Sequence, residues 1–142
     1  MTDLATVDPI AALQAAMLQL PQFEPQTEHL FHGGLYCRTV ARPKDCLIVG
    51  KRHRKPHIYV VLKGRVGLVN HAGEVAQEYL AGSVIACEPG TKRAVIALED
   101  SVCMTVHATK AKTVEGAEAI LVEPEPDSPF LPGNRLPLKE LT

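Results

Sequence analysis

Two histidines four residues apart, His53 and His57, lie in the stretch GKRHRKPHIYVVLKG that runs from Gly50 to Gly64. Imidazoles at such a spacing on a helix would form one face of a metalloprotease site. Pro56 fixes its own φ and drives Lys55 out of the α region, which argues against a helix here. The spacing instead predicts a hairpin with residues 54–56 as its loop, so that His53 and His57 stand opposite each other and project to one face. Two converging imidazoles are half of a metal site. If Glu99 and Asp100 centre the last hairpin, His107 falls opposite Lys92 or Arg93. It then supplies a third ligand. A His53, His57 and His107 triad offers three neutral nitrogens and an open position, suited to one divalent transition metal such as zinc, iron, nickel or copper.

Three features oppose that reading. Ile58, Val60 and Leu62 are more apolar than His57, Tyr59 and Val61, and Val102, Met104 and Val106 outdo Cys103, Thr105 and His107. Period-two logic then puts the histidines on the wetter face. Lys51 shares the face of His53, where an ammonium beside a dication is unfavourable unless another group intervenes. Arg93 stays protonated and cannot be a ligand. The cations suggest a different use: Lys51, Arg52, Arg54 and Lys55 crowd one hairpin, with Lys92 and Arg93 on a later turn, a set suited to an anion or to an acidic surface of a partner. With three Tyr, three Phe and no Trp, stacking on nucleic acid is poorly supported. No GxSxG, no Walker-type glycine loop and no telling Cys and His pair occurs.

The elements that must position these residues are short strands. Runs rich in Val, Ile, Tyr and Leu at 35–41, 46–53, 57–63, 65–70, 77–80, 83–87, 93–98 and 102–107 alternate with turns at 43–45, 71–73, 81–82, 89–90 and 99–100. This pattern predicts an all-β protein, a jelly-roll barrel. Ahead of it, Asp8 and Pro9 read as an N-cap and first helical position. Ile10, Leu13, Met17 and Leu20 recur at helical spacing until Pro21, so a short amphipathic helix must pack on the barrel or on a neighbouring subunit. Residues 22–30 read as an extended connector, which leaves His29 and His32 before the first strand and exposed. Residues 123–142 hold five prolines together with Phe130, Leu131, Leu136, Leu138 and Leu141. They read as an extended arm, either solvated or docked on another subunit. The domain expectation is thus helix and connector over 1–27, barrel over 28–122 and arm over 123–142.

The 142 residues, 46% apolar with a net charge of −1, fit one globular domain. No apolar run approaches the ~20 residues of a membrane span, and the N-terminus lacks a secretory pattern. The expected location is cytoplasmic. Cys37, Cys46, Cys87 and Cys103 form no CxxC pair, lie in strand-like runs and read as buried thiols rather than disulfides or ligands.

The segment ending at Gly64 resembles the first motif of the cupins, in which a glycine and HxH precede a glutamate, six residues and a glycine. His57 falls on the glutamate position, His53 on the second histidine and Lys51 on the first. Gly82 to Arg93, GSVIACEPGTKR, resembles the second motif, with Pro89 and Gly90 in its turn and Arg93 where a histidine is expected. The chain is also similar, over residues 28–124, to small cupin-like proteins encoded by tailed bacteriophages, through its GKRHRKPH, PGTKR and EDSVCMTVH stretches. That resemblance implies an oligomeric structural or binding protein associated with the virion. It would contact further copies or other virion proteins through the N-terminal helix and the C-terminal arm. The alternative is an enzyme of the dioxygenase or isomerase kind with one metal on the three histidines.

Overall fold

The computed structural model describes residues 9–18, 22, 24–70 and 72–124. Helix α1 (Pro9–Met17) is followed by β1 (Thr27–His32), β2 (Leu35–Arg42), β3 (Leu47–Val49), β4 (His57–Lys63), β5 (Arg65–Val69), β6 (Val75–Leu80), β7 (Val84–Cys87), β8 (Ala94–Ala97), β9 (Ser101–Ala108) and helix α2 (Val114–Leu121). The strands form two antiparallel sheets, one of five in the order β1-β2-β9-β4-β7 and one of four in the order β3-β8-β5-β6. This is the jelly-roll sandwich that the strand spacing predicts. Among the described residues no helix is long and apolar enough to cross a membrane.

Local chemistry explains the joints. Between β4 and β5 the chain reverses at Gly64, whose φ of 82° suits glycine, and a Cβ there would run into Ser101 Oγ and the Asp100 carbonyl. The turn before β3 uses Asp45 in the left-handed region, φ 71°, and its neighbour Lys44 N donates to Asp100 Oδ1 at 2.8 Å. Val61, Val66 and Cys103 are buried between the sheets with Tyr59, Tyr79 and Val95 around them. A second cluster, Tyr36, Ala117 and Leu121 with Phe31, Ala111 and Val122, seats α2 against the five-stranded sheet. The Thr113 side chain caps α2 by accepting from Gly116 N at 3.1 Å. Burying Ala117 and Leu121 on one side of this short helix supplies what its length alone cannot.

Several expectations are corrected. The predicted hairpin around residues 54–56 does not exist: β3 pairs with β8 in one sheet, whereas β4 pairs with β7 and β9 in the other. His53 lies outside both strands and bridges Val122. Likewise β8 and β9 are not hairpin partners, because residues 98–100 carry the chain from one sheet to the other, and His107 pairs with Tyr36 rather than with Lys92 or Arg93. Tight turns were read as hairpins where a sandwich uses them as crossings between layers. The face assignment is also reversed. Val61, Cys103 and His107 are buried, while Ile58 and Leu62 are 44% and 48% exposed. Residues 27–32, read as connector and loop, form an edge strand, and α2 was not anticipated. All four cysteines are free thiols; Cys87 and Cys103 are buried, as expected, whereas Cys37 and Cys46 are only half-buried. Met17 and Leu18 at the end of α1 line the interior cavity, so the helix lies on its own barrel. Leu20 and residues 125–142, where most of the arm falls, lie outside the described residues.

Candidate metal centre

The three histidines meet although their strands do not pair as expected. β9 points His107 inward beside Tyr36, and the register that sets Ile58 against Val106 places His57 next to His107 on the inner face of the five-stranded sheet. His53 arrives from the crossing segment, where its carbonyl accepts from Gly90 N at 2.9 Å and the next residue, Arg54, donates its N–H to the Leu121 carbonyl at 2.8 Å. These anchors bring the ring centroids to 4.2 Å (His53 and His57), 5.1 Å (His53 and His107) and 4.8 Å (His57 and His107). One ligand atom from each ring lies within 4.8 Å of the others.

Burial keeps the imidazoles neutral. His107 is 3% exposed. Its pKa is pushed down to about 3, by burial first and then by His53, His57 and Arg38. Burial, then His57 and Arg38, lowers His53 to about 4. His57 is lowered as well, mainly by burial, with Arg93 and Arg38 adding to it. Neutral rings present lone pairs at neutral pH, which is the ligand form. His107 Nε2 lies 2.9 Å from Thr105 Oγ1. His57 Nδ1 is buried, with only the Lys55 backbone close to the ring. Three neutral imidazoles whose ligand atoms lie within 4.8 Å of one another fit a metal ion. A tetrahedral set of Zn–N bonds needs nitrogens about 3.4 Å apart, so the rings would have to draw in by about 1.4 Å from their widest separation.

The ammonium of Lys51 does stand near His53, and the intervening group is Glu118. This buried carboxylate on α2 lies 3.7 Å from Lys51 Nζ and 3.9 Å from Arg38 Nη1. It offsets two cations whose fields oppose a dication at the triad. Tyr36 packs on His107 with ring centroids 5.7 Å apart, and its hydroxyl lies 2.6 Å from His29 Nδ1. Burial raises the Tyr36 pKa to about 12, so it stays a neutral phenol. His53 and His57 border a cavity of about 460 Å³ between the sheets, bordered also by Tyr59, Arg42 and Arg93, with His107 buried behind them.

The six cations singled out in the sequence are divided by the fold. Lys51 pairs with Glu118, Arg52 Nη1 donates to the Gly90 carbonyl at 2.8 Å, and Arg93 borders the cavity with Nη1 3.5 Å from Cys87 Sγ. Arg54 and Lys55 are exposed at the tip of the crossing segment, and Lys92 is half-buried. Sequence reasoning missed Glu118, Arg38, Tyr36 and Arg42. The last three alternate along β2 and so share the inward face, a signal present in the period-two spacing of YCRTVAR. For Glu118 the signal was Thr113 as an N-cap, followed by Ala117 and Leu121 four apart.

No protein-family model and no curated protein matches the chain. Solved structures do. KdgF from a Halomonas species is 18% identical, with a TM-score of 0.51 over 63% of this chain and 82% of its own. A cupin domain from Bordetella pertussis is 14% identical, with a TM-score of 0.50 over 63% of this chain and 98% of its own. A protein from Photorhabdus luminescens is 14% identical, with a TM-score of 0.52 over 64% of this chain and 80% of its own. Two antiparallel sheets in jelly-roll order, motif-like turns at Gly64 and Gly90 and these likenesses together establish that the chain has the cupin fold.

Proposed function

We propose that this protein is a small cupin that binds one divalent transition metal on His53, His57 and His107. The observation that carries the reading is the convergence of three neutral imidazoles whose ligand atoms lie within 4.8 Å of one another. Three nitrogen ligands would leave a coordination position for a further ligand, as dioxygenase- or isomerase-type chemistry requires. A metal bound there would polarise an oxygen ligand as a Lewis acid. The chain itself excludes water from His107, balances Arg38 and Lys51 with Glu118, and offers a cavity large enough for a small organic molecule. The test is calorimetric titration of the chelator-treated protein with Zn²⁺, Co²⁺, Ni²⁺ and Fe²⁺, with elemental analysis of the loaded protein. One equivalent is expected in the wild type and loss of at least tenfold in affinity in His57→Ala and in His107→Ala. Equal uptake by both variants would refute the site.

A second reading, an oligomeric structural or binding protein of the phage type, is favoured by the outer face of the five-stranded sheet. Two rows cross all five strands there: Leu30, Cys37, Val106, Ile58 and Ala86, then Glu28, Thr39, Met104, Val60 and Val84. Of these ten residues only Glu28 is charged, and Leu30 and Val84 are 61% and 68% exposed. Five strands by six residues of β9 give roughly 500 Å² of projected area, at the upper end of what monomers expose. A second copy, or another virion protein, would cover it, with α1 and the arm of residues 123–142 as further contacts. Light scattering of the wild type against Ile58→Lys tests this reading. A multimer that becomes a folded monomer supports it, and a wild-type monomer refutes self-association. Metal binding and assembly do not exclude one another.

A further inference from the structure

The cavity holds a feature that a metal site does not need. Arg42 points inward from β2, its guanidinium carbon 5.8 Å from the centroid of the Tyr59 ring, and its Nε and Nη1 are buried without a hydrogen-bond partner. Arg93 borders the same space, where its Nη1 lies 3.5 Å from the Cys87 thiol. Among the described residues neither guanidinium has a carboxylate within ion-pair distance. Glu118 is engaged by Arg38 and Lys51, and the bordering Asp45 and Glu88 are solvent-exposed and pair with neither arginine. The Tyr59 hydroxyl is buried, with only the Cys103 thiol beside it. A buried guanidinium with unmade hydrogen bonds costs stability that folding alone does not recover. Between these groups and the triad the walls include Val40, Val66, Leu68, Ile85 and Val95.

We infer that the cavity binds an organic carboxylate, with the carboxyl group on Arg42 and the apolar body lying between the sheets toward the triad. Tyr59 stands one inward position from His57 on β4, about 7 Å along the strand. A ligand anchored at Arg42 therefore needs a body of roughly four to six carbons to reach the histidines. A carboxylate suits the site better than a phosphate. The site provides guanidinium and phenol donors among apolar walls, and the helix end that borders it among the described residues is a C-terminus, not the N-terminus that phosphate sites use. The assignment rests on the proposed metal site for the direction in which the body points, while the anion contact stands on Arg42 alone.

The experiment is isothermal titration of the metal-free and the metal-loaded protein with benzoate and hexanoate, against benzamide and inorganic phosphate. Variants Arg42→Met and Lys55→Gln are titrated in parallel. Benzoate or hexanoate is expected to bind both forms, with benzamide and phosphate at least tenfold weaker. Arg42→Met should weaken carboxylate binding tenfold or more, Arg42→Lys should restore part of it, and Lys55→Gln should leave it unchanged. Because Arg42→Met removes a buried charge with unmade hydrogen bonds, the ligand-free variant should melt at the wild-type temperature or higher, so lost binding is not lost folding. Equal binding of benzoate and benzamide, undiminished binding by Arg42→Met, or a loss caused by Lys55→Gln would each overturn the proposal. Carboxylate binding by a protein that takes up no metal would sink the metal reading alone, and metal uptake without carboxylate binding would sink this one alone.

Discussion

Replacing Glu118 with Gln keeps the shape of the side chain and removes its charge, leaving Arg38 and Lys51 facing the triad without a counter-ion. At separations of 3.9 and 3.7 Å each pair is worth about 4 kcal/mol of gross Coulomb energy at an effective dielectric of ~20. The carboxylate no longer has to be desolvated in the variant, which returns part of that sum. The side chains are 19%, 20% and 10% exposed for Arg38, Lys51 and Glu118, so screening trims the remainder. The net expectation is a loss of about 2 to 4 kcal/mol, toward the lower end of what breaking a buried pair costs. In a chain of this length that lowers Tm by roughly 10 °C. Urea unfolding of metal-free protein measures the stability directly, and Zn²⁺ titration should show affinity reduced tenfold or more. The double variant Glu118→Gln with Lys51→Gln should recover part of both losses, since one of the two stranded cations is gone. A Glu118→Gln protein within 0.5 kcal/mol of wild type and with unchanged Zn²⁺ affinity would show that α2 does not set the electrostatics of the site.

Metal-free stability should depend on pH through the triad. The histidine pKa values are depressed in the folded protein, to about 4 for His53 and about 3 for His107, so the unfolded chain takes up protons first. Stability from this source is fully present above the unfolded pKa of ~6.5 and is lost as pH falls from there through 4 toward 3. Urea midpoints at pH 7, 6, 5 and 4 should fall steadily, and more shallowly in His107→Ala; a flat profile contradicts the buried neutral triad. Gly64→Ala should cost about 3 kcal/mol or more, because a Cβ meets Ser101 Oγ and the Asp100 carbonyl at a positive φ. Thermal melts of that variant within 2 °C of wild type would refute the steric account.

The strands were legible because β-branched and aromatic runs separated by Gly, Pro and Asp turns are a local signal, and β4, β5, β7 and β9 start and end within a residue or two of expectation. What joins them was not legible. Pro56 and the 99–100 turn show that the chain bends, but not whether it returns in the same sheet or steps to the other. The register built on those bends was therefore wrong at both ends. The histidines meet for a different reason. His57 and His107 are neighbours across the β4 and β9 pair, strands more than forty residues apart in sequence, and His53 is drawn in by Gly90, Leu121 and Val122. No local pattern carries that information. Helix α2 escaped notice because its eight residues hold a glycine and two acidic side chains, and only its N-cap and two buried apolar positions mark it.

The reversed face assignment ties the site to the surface. Along β4 the inward residues are His57, Tyr59 and Val61 and the outward ones Ile58, Val60 and Leu62, so the alternation is intact and only its sign is opposite to the one hydrophobicity implies. A barrel that served only its own stability would turn Ile58 and Leu62 in and the histidines out. Here the interior carries three imidazoles, the guanidinium of Arg42 and the phenol of Tyr59, with unmade hydrogen bonds at Arg42, while large aliphatic side chains face outward. Each half of that arrangement costs free energy in an isolated copy. The polar interior regains it when a metal and an anion bind these groups, and the apolar exterior regains it when another surface covers the sheet. The prediction that separates these two gains is a melt of Ile58→Lys with and without saturating Zn²⁺: the variant should lose the concentration dependence of its Tm and keep the full Zn²⁺-induced rise. If the lysine abolished the metal-induced rise while leaving the fold intact, the two faces of the sheet would be one coupled site rather than two independent ones.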